Sequence, residues 1–494
     1  MIMMNRGKQV GGIAVIFLTA IVCIFLLTPS AALGTGEEIL LFEAEGGTLN
    51  GNTAVKSSGG TTWVEGFRSP GKDSVSIPVN TREEGFYDVS VILASDGGHK
   101  ENPVRLDGQF IGSAIVDDRT FGKSILEHIW FSAGDHTVEI GTSWGYFKVD
   151  AIELALSEPL PADLYDVPET MSVGEATPEA RRLYDWLREC YGKKIISGQQ
   201  CDGGMYGLEN QAVWRVTKGD YPAILGLDMM DYSPSRVEKG GAVDNAVPYA
   251  IEYWNKGGVV AFCWHWNAPS PYLKDPWYSG FYKEKTTFNL AKVMNGLDPE
   301  GYEYLLRDID AIASQLLRLK EAGVPVLWRP LHEASGGWFW WGAYGSEAYL
   351  KLYHLLFDKL TNEYGLNNLI WVWNGQDAAW YPGDEEVDII GIDIYPGERV
   401  YDPQSSAFLE MMKVTDTRKI IILSENGCLP DPELVFRNGT VWGSWCTWGG
   451  EFVLKSAGFN KMSEVYTESE KLKEFYADER VVKRKDIPDL RTQE

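Results

Sequence analysis

Between residues 37 and 156, apolar and polar positions alternate in short runs, at 38–45, 73–78, 85–94, 102–106, 126–131, 136–141 and 147–154, broken by Gly, Asn and Asp. A period of two over such lengths, with no long helical period among them, predicts an antiparallel β-sandwich of about 120 residues. Past Ala176 the pattern changes. Eight apolar runs, at 194–198, 222–227, 258–264, 325–330, 369–373, 387–394, 419–424 and 442–448, alternate with amphipathic stretches, plainest at 242–255, 302–322, 346–363 and 464–476. Eight strand–helix units in succession predict a (β/α)8 TIM barrel, an α/β fold whose parallel sheet is covered by helices. Pro159, Pro161 and Pro168 mark the joint between the two patterns. The predicted organisation is an all-β module at 37–157, a short connector at 158–175 and a barrel at 176–494. The connector is short and rich in large residues, so close packing of the two domains is expected.

The first residues follow a different pattern. Arg6 and Lys8 precede an apolar run at 11–27, then Thr28, Pro29, Ser30, Ala31 and Ala32. That order of charge, apolar core and small residues predicts a secretory signal at 1–34, cleaved near Gly34 or Thr35, and an extracellular protein. A retained anchor is the competing reading, because the run is near the short end of what spans a bilayer. No later segment is apolar enough to cross a membrane, so none is expected to hold the mature protein there.

Composition then removes whole classes of function. The 494 residues carry 45 Lys plus Arg against 70 Asp plus Glu, a net charge of −25, which excludes a nucleic-acid footprint. With 44% hydrophobic residues the chain can bury large cores, and a monomer is expected. Beyond the signal the cysteines are Cys190, Cys201, Cys263, Cys428 and Cys446, with no Cys-x-x-Cys pair and no zinc-type Cys/His spacing. Most are expected as small buried side chains rather than bridges. Asn438-Gly439-Thr440 is a glycosylation sequon by pattern.

In a TIM barrel the chemistry sits just past the carboxyl ends of the strands. There the third strand leads into Trp264-His265-Trp266-Asn267, the fourth into Arg329-Pro330-Leu331-His332-Glu333, the fifth into Trp373-Asn374, the sixth into Asp393-Ile394-Tyr395 and the seventh into Ser424-Glu425-Asn426-Gly427. Glu333 and Glu425 are thereby expected to face each other across one mouth. Two carboxyls, one to protonate a leaving oxygen and one to attack or to activate water, are what glycoside hydrolysis needs. Arg329 and His332 are expected to set the ionisation of Glu333, and Tyr395 to donate to a nucleophilic carboxylate. Thirteen of the nineteen tryptophans cluster at these ends, among them Trp266, Trp338, Trp373 and Trp445. They predict a cleft paved with indole rings, suited to the partly apolar face of a pyranose and so to a polysaccharide. His265, flanked by Trp264 and Trp266, is expected on the sugar. Trp186, Trp214 and Trp254, on helices, are expected in the core.

The run Arg329 to Glu333, followed by Gly337-Trp338-Phe339-Trp340-Trp341-Gly342 and, downstream, by Ser424 to Gly427, closely resembles glycoside hydrolase family 26, chiefly endo-β-1,4-mannanases. The stretches 226–236, 264–269 and 286–289 resemble its mannanase branch. The resemblance implies Glu333 as acid/base and Glu425 as nucleophile of a retaining double displacement without a catalytic cofactor. It implies β-mannan polysaccharide and manno-oligosaccharides as substrate partners. His332, Trp338 and Tyr395 would shape the subsite of the reacting sugar, with His265 and Arg329 near it and Trp445 matching less closely. The family also includes β-1,3-1,4-glucanases and xylanases, and a non-catalytic wall-binding protein is the alternative from another class. The β-rich module resembles carbohydrate-binding modules of family 35, through Phe42-Glu43-Ala44-Glu45 and the run from Trp144 to Leu154. That resemblance implies a structural Ca2+ held by Glu43, Glu45 and Asp150, and a ligand platform of Trp144 and Tyr146.

Overall fold

The computed structural model describes residues 39–241, 245–455 and 461–492. The predicted signal at 1–34 lies outside the described residues. From Leu40 to Leu156 two antiparallel sheets pack face to face. One orders Ala54–Ser58, Thr61–Glu65, Phe147–Leu156, Gly85–Ser95 and Gly122–Phe131, with Leu40–Glu43 also pairing on Phe147–Leu156. The other orders Thr48–Asn50, Ser74–Thr81, Gly134–Ile140, Lys100–Leu106 and Gln109–Val116. Inward residues such as Val64, Val75, Val89, Leu93, Val138 and Ile152 make one core between them. The pattern read from sequence misses Thr48–Asn50, Ala54–Ser58, Thr61–Glu65 and Gln109–Val116. Ala54–Ser58 explains the omission, because every one of its side chains is exposed and no alternation is left to read.

Asp73 locks the turn that enters Ser74–Thr81. Its carboxylate accepts the backbone N–H groups of Asn52, Arg68 and Ser69 at 2.7–2.8 Å. Burial opposes its ionisation, but these donors and the Asn52 amide outweigh it and bring the pKa down to about 2. The sign follows from linkage: the stabilisation is complete above the ordinary value near 4 and is lost as pH falls through about 2. Asp73→Ala is expected to destabilise the module by about 1–3 kcal/mol at neutral pH, through amides left without acceptors. The difference from the parent should shrink toward pH 2, which thermal unfolding at pH 7 and pH 2.5 would check.

The eight parallel barrel strands are Ile195–Gln200, Ile224–Asp228, Val259–Cys263, Val326–Arg329, Leu369–Trp373, Ile389–Ile394, Ile420–Asn426 and Ser444–Thr447. They pair in chain order, and the last closes on the first. Each lies at or within a few residues of the predicted run. Helix Pro299–Glu321 starts on Asp298, whose side chain caps the Gly301 amide, and turns Leu305, Ile309, Ile312 and Leu316 into the core at helical spacing.

The module and barrel are in direct contact. Glu127 pairs with Lys413 at 2.5 Å and its N–H reaches the Ser406 hydroxyl, while the Arg437 guanidinium lies 5.3 Å over the Trp130 ring. The buried His128 ring stacks on Phe86 and donates from Nε2 to the Asn438 carbonyl at 3.0 Å. In the connector, Tyr165 donates to the Gly439 carbonyl and Asp163 pairs with Arg418. The Asn438 side chain of the sequon is buried, and its amide is engaged with the Ser405 hydroxyl.

Candidate active site

The fourth strand brings Glu333 to the mouth through a sharp turn in which two non-glycine residues, Leu331 and Glu333, take positive φ of 54° and 53°. Such strain persists only where surrounding bonds impose it. Here Asn374, at the end of strand five, accepts the Glu333 N–H through its carbonyl at 2.7 Å and its side-chain oxygen at 3.1 Å. The Glu333 carboxyl accepts from the Trp338 indole at 2.8 Å. A Cβ on Gly336 would meet that indole at 2.0 Å, so the glycine lets Trp338 fold back over the acid.

Glu425, at the end of strand seven, is buried. One carboxylate oxygen is paired with the Arg329 guanidinium and the other accepts the Tyr395 hydroxyl at 2.6 Å. Arg329 reaches Asp393 with its second nitrogen at 2.8 Å. The other Asp393 oxygen accepts from Asn374 at 2.9 Å and Ser424 at 2.7 Å. Oxygens of Glu333, Asp393 and Glu425 lie within 4.8 Å of one another. Two of the three carboxyls, Asp393 and Glu425, share the Arg329 guanidinium. Burial, and then the charge of Glu425, raise Glu333 to about 7. Burial pushes Asp393 up as well, yet both its oxygens already accept from donors. Glu333, which Arg329 does not grip, is thus the carboxyl placed to hold a proton near neutral pH.

Beside this trio, Asp228 at the end of strand two accepts from His265 Nδ1 at 2.6 Å, and His265 Nε2 lies 3.2 Å from His332 Nε2. Burial opposes a charge on His265, but the Asp228 carboxylate outweighs it and raises the pKa. Burial and the neighbouring His265 and Arg329 charges hold His332 well below the usual range, so it is neutral. His265 then donates to His332.

The structure gathers Glu333, Glu425, His265, Arg329, His332, Trp338 and Tyr395 at one end of the barrel, and it changes what several of them do. Arg329 grips Glu425 and Asp393 directly, and acts on Glu333 through its charge alone. Trp266, Trp373 and Trp445 were expected on the sugar, and all three are buried. Their indole N–H groups are used internally, on Asp308, the Trp380 carbonyl and the Cys428 carbonyl. Trp264 stacks on Trp266 at 4.0 Å, and Trp340 and Trp341 pack with them, so most of the tryptophan cluster is the packed floor beneath the loops. Trp338, 41% exposed, and Tyr395 stand open to a ligand. Trp214, expected in the core, is exposed, whereas Trp186 and Trp254 are buried. Asn374 and Asp393 are read at their strand ends in the sequence but given no role, and Asp228 is not singled out, although it lies just past the apolar run at 222–227.

In the module, Trp144 and Tyr146 are 56% and 59% exposed, with His99 edge-on to Trp144. The Asn102 side chain accepts the Ser143 and Trp144 amides and so fixes the loop that presents them. Glu43, Glu45 and Asp150 are close enough that burial, then the charges of Glu45 and Asp150, raise the Glu43 pKa. One Glu45 oxygen is buried with no hydrogen-bond partner. The orphaned oxygen beside two further carboxylates offers hard donors, though fewer than the roughly six to eight oxygens a calcium ion takes.

Residues 173–476 match the family model for Glycosyl hydrolase family 26, and residues 40–157 match Carbohydrate binding module (family 35). A mannan endo-1,4-beta-mannosidase of Thermothelomyces thermophilus is 39% identical, over 86% of this chain and 88% of its own length. Mannan endo-1,4-beta-mannosidase B of a Piromyces species is 32% identical, over 94% of this chain and 79% of its own length. Among solved structures, the Podospora anserina GH26-CBM35 β-(1,4)-mannanase superposes with a TM-score of 0.64 at 36% identity, covering 92% of this chain and 99% of that one.

Proposed function

The chain belongs to glycoside hydrolase family 26, and from that premise we propose that it is an endo-β-1,4-mannanase cleaving mannan, glucomannan or galactomannan with retention at the anomeric carbon. One observation carries the mechanism: Glu333 and Glu425 oxygens lie within 4.8 Å of each other, with Glu425 held by Arg329 and Tyr395 and the Glu333 pKa raised to about 7. Inverting enzymes need about 6.5–9.5 Å between their carboxyls to admit a water, and retaining ones about 5–5.5 Å. Glu425 attacks the anomeric carbon while Glu333 protonates the departing glycosidic oxygen, and a glycosyl-enzyme ester forms on Glu425. Once esterified, Glu425 no longer bears the charge that helps raise the Glu333 pKa. Glu333, having given up its proton, is then the stronger acid and stays ionised, ready to take a proton from the incoming water. Arg329 and Tyr395 hold the nucleophile in line, and Trp338 closes over the acid.

The test is release of reducing ends from mannan, galactomannan, mixed-linkage glucan and xylan, with the anomer of the first product read by NMR. Selective release from the mannans as the β-anomer supports the proposal. Release from glucan or xylan would discard the substrate and keep the chemistry, α-anomer first would discard retention, and silence on all four would favour a binding protein.

Three further assignments belong to the same reading. Residues 1–34 direct secretion, which N-terminal sequencing of protein from culture medium would check. The protein is a monomer, a matter for light scattering. A structural Ca2+ is held by Glu43, Glu45 and Asp150, and tethering such a module to the barrel raises the local enzyme concentration on an insoluble polymer. Chelation is expected to lower the module's unfolding temperature by several degrees, and Glu45→Gln to remove that calcium dependence. An unfolding curve indifferent to both calcium and chelator would exclude the ion.

A further inference from the structure

Cys263 ends the third barrel strand two residues before His265, so both side chains reach the same side of the strand end, where strand two delivers Asp228. Their ligating atoms lie within 4.8 Å of one another. Asp228 Oδ2 is 2.6 Å from His265 Nδ1, and Cys263 Sγ is 3.9 Å from that same nitrogen. The other Asp228 oxygen is fixed by the backbone N–H groups of Met230 and His265. This is a thiol, an imidazole and a carboxylate converging on one point, a donor set of the kind that takes zinc and similar ions. Chain spacing predicted no such site, because the third donor arrives from the neighbouring strand. Asp228 lines a cavity of about 190 Å³ together with Asp202, Asp231, Asn245 and Tyr249, an acidic vestibule that favours cations.

We propose that Asp228, Cys263 and His265 bind a thiophilic divalent cation such as Zn2+, and that its binding switches the adjacent carboxylate pair off. The cation takes the place of the proton between Asp228 Oδ2 and His265 Nδ1, and Cys263 releases its thiol proton to water as Sγ becomes a thiolate ligand. No electron transfer is involved. A water completes the tetrahedron from the vestibule side. Loss of activity follows from geometry, since the dication replaces two protons and the net charge is unchanged. A tetrahedral ion holds a carboxylate oxygen and an imidazole nitrogen farther apart than the present 2.6 Å between Asp228 Oδ2 and His265 Nδ1. The imidazole that must shift is the one 3.2 Å from His332, the residue beside Glu333. The activity half of this proposal rests on the hydrolase reading, whereas the binding half does not.

The experiment titrates the full chain with ZnCl2 by calorimetry and with CoCl2 by absorption, alongside Cys263→Ala and Cys263→Ser. The expected result is one site in the parent whose affinity falls at least tenfold in both variants, with a thiolate-to-cobalt charge-transfer band present only in the parent. MgCl2, a hard cation, should give no heat at this site. Zinc should inhibit hydrolysis by the parent, EDTA should restore it, and both variants, each read against its own basal rate, should need at least tenfold more zinc. Equal zinc affinity in parent and variants, or a cobalt band surviving in both variants, would overturn the site. Cys263-dependent binding that leaves activity unchanged would overturn the switch and keep the site. Catalytically silent protein that still shows the cobalt band would overturn the hydrolase reading alone.

Discussion

Glu425→Ala is expected to lower kcat/KM on β-mannan by about 10⁴–10⁶-fold, the scale seen when the nucleophile of a covalent mechanism is removed. The fold should survive. Removing one carboxylate from a cluster of three carboxyls around Arg329 leaves the guanidinium paired with Asp393 at 2.8 Å, so the buried cation keeps a partner. An unfolding temperature within a few degrees of the parent, measured beside the kinetics, would separate lost chemistry from lost structure. A second readout addresses the role itself. A small anion such as azide, seated where the carboxylate was, should attack the anomeric carbon directly and give a product of inverted configuration. A loss below about 100-fold, with product stereochemistry unchanged, would mean that another group supplies the nucleophile.

Glu333→Gln is expected to cost about 10²–10⁴-fold on polymeric mannan, the range for general acid catalysis. It should cost far less in the first step with an aryl mannoside, whose leaving oxygen needs no proton. The pH dependence is the sharper test. With its pKa raised to about 7, Glu333 is the protonated working form below that value and loses it above. The kcat/KM of the parent should therefore fall as pH rises through about 7, and this alkaline limb should vanish in Glu333→Gln. Trp338→Phe takes away the indole N–H that favours the ionised carboxylate. The limb should then move to higher pH. Movement to lower pH would mean that the Trp338 contact does not govern the acid.

The sequence made the architecture legible because its signals are local. A period of two over short runs and eight strand–helix alternations are properties of neighbouring residues, and a barrel with its strands in chain order adds no long-range surprise. The same locality located the carboxylate pair. Once the strands are placed, strand-end geometry delivers Glu333 and Glu425 to one mouth, whatever the rest of the chain does.

The tryptophans show where that reasoning stops. Their clustering at strand ends is real, but whether an indole faces the cleft or the floor depends on which partners arrive from other strands and loops. Trp266 is buried because Asp308, on helix Pro299–Glu321, accepts its N–H, and because Trp264 and Trp340 cover its ring. Trp338, two residues before Trp340, stays open because Gly336 leaves room for it to fold back. Nothing in the spacing of these residues separates the two outcomes.

The sequence alone thus determined the all-β module, the barrel and the two glutamates, since strand periodicity and strand-end position are encoded residue by residue along one stretch of chain. Only the tertiary structure decided the electrostatics. Arg329 could have met either glutamate, and the fold set it between Glu425 and Asp393. That choice leaves Glu333 without a guanidinium partner, its pKa raised to about 7. Charge–charge coupling depends on distances of a few ångströms between residues up to about a hundred positions apart, and those distances exist only once the barrel closes.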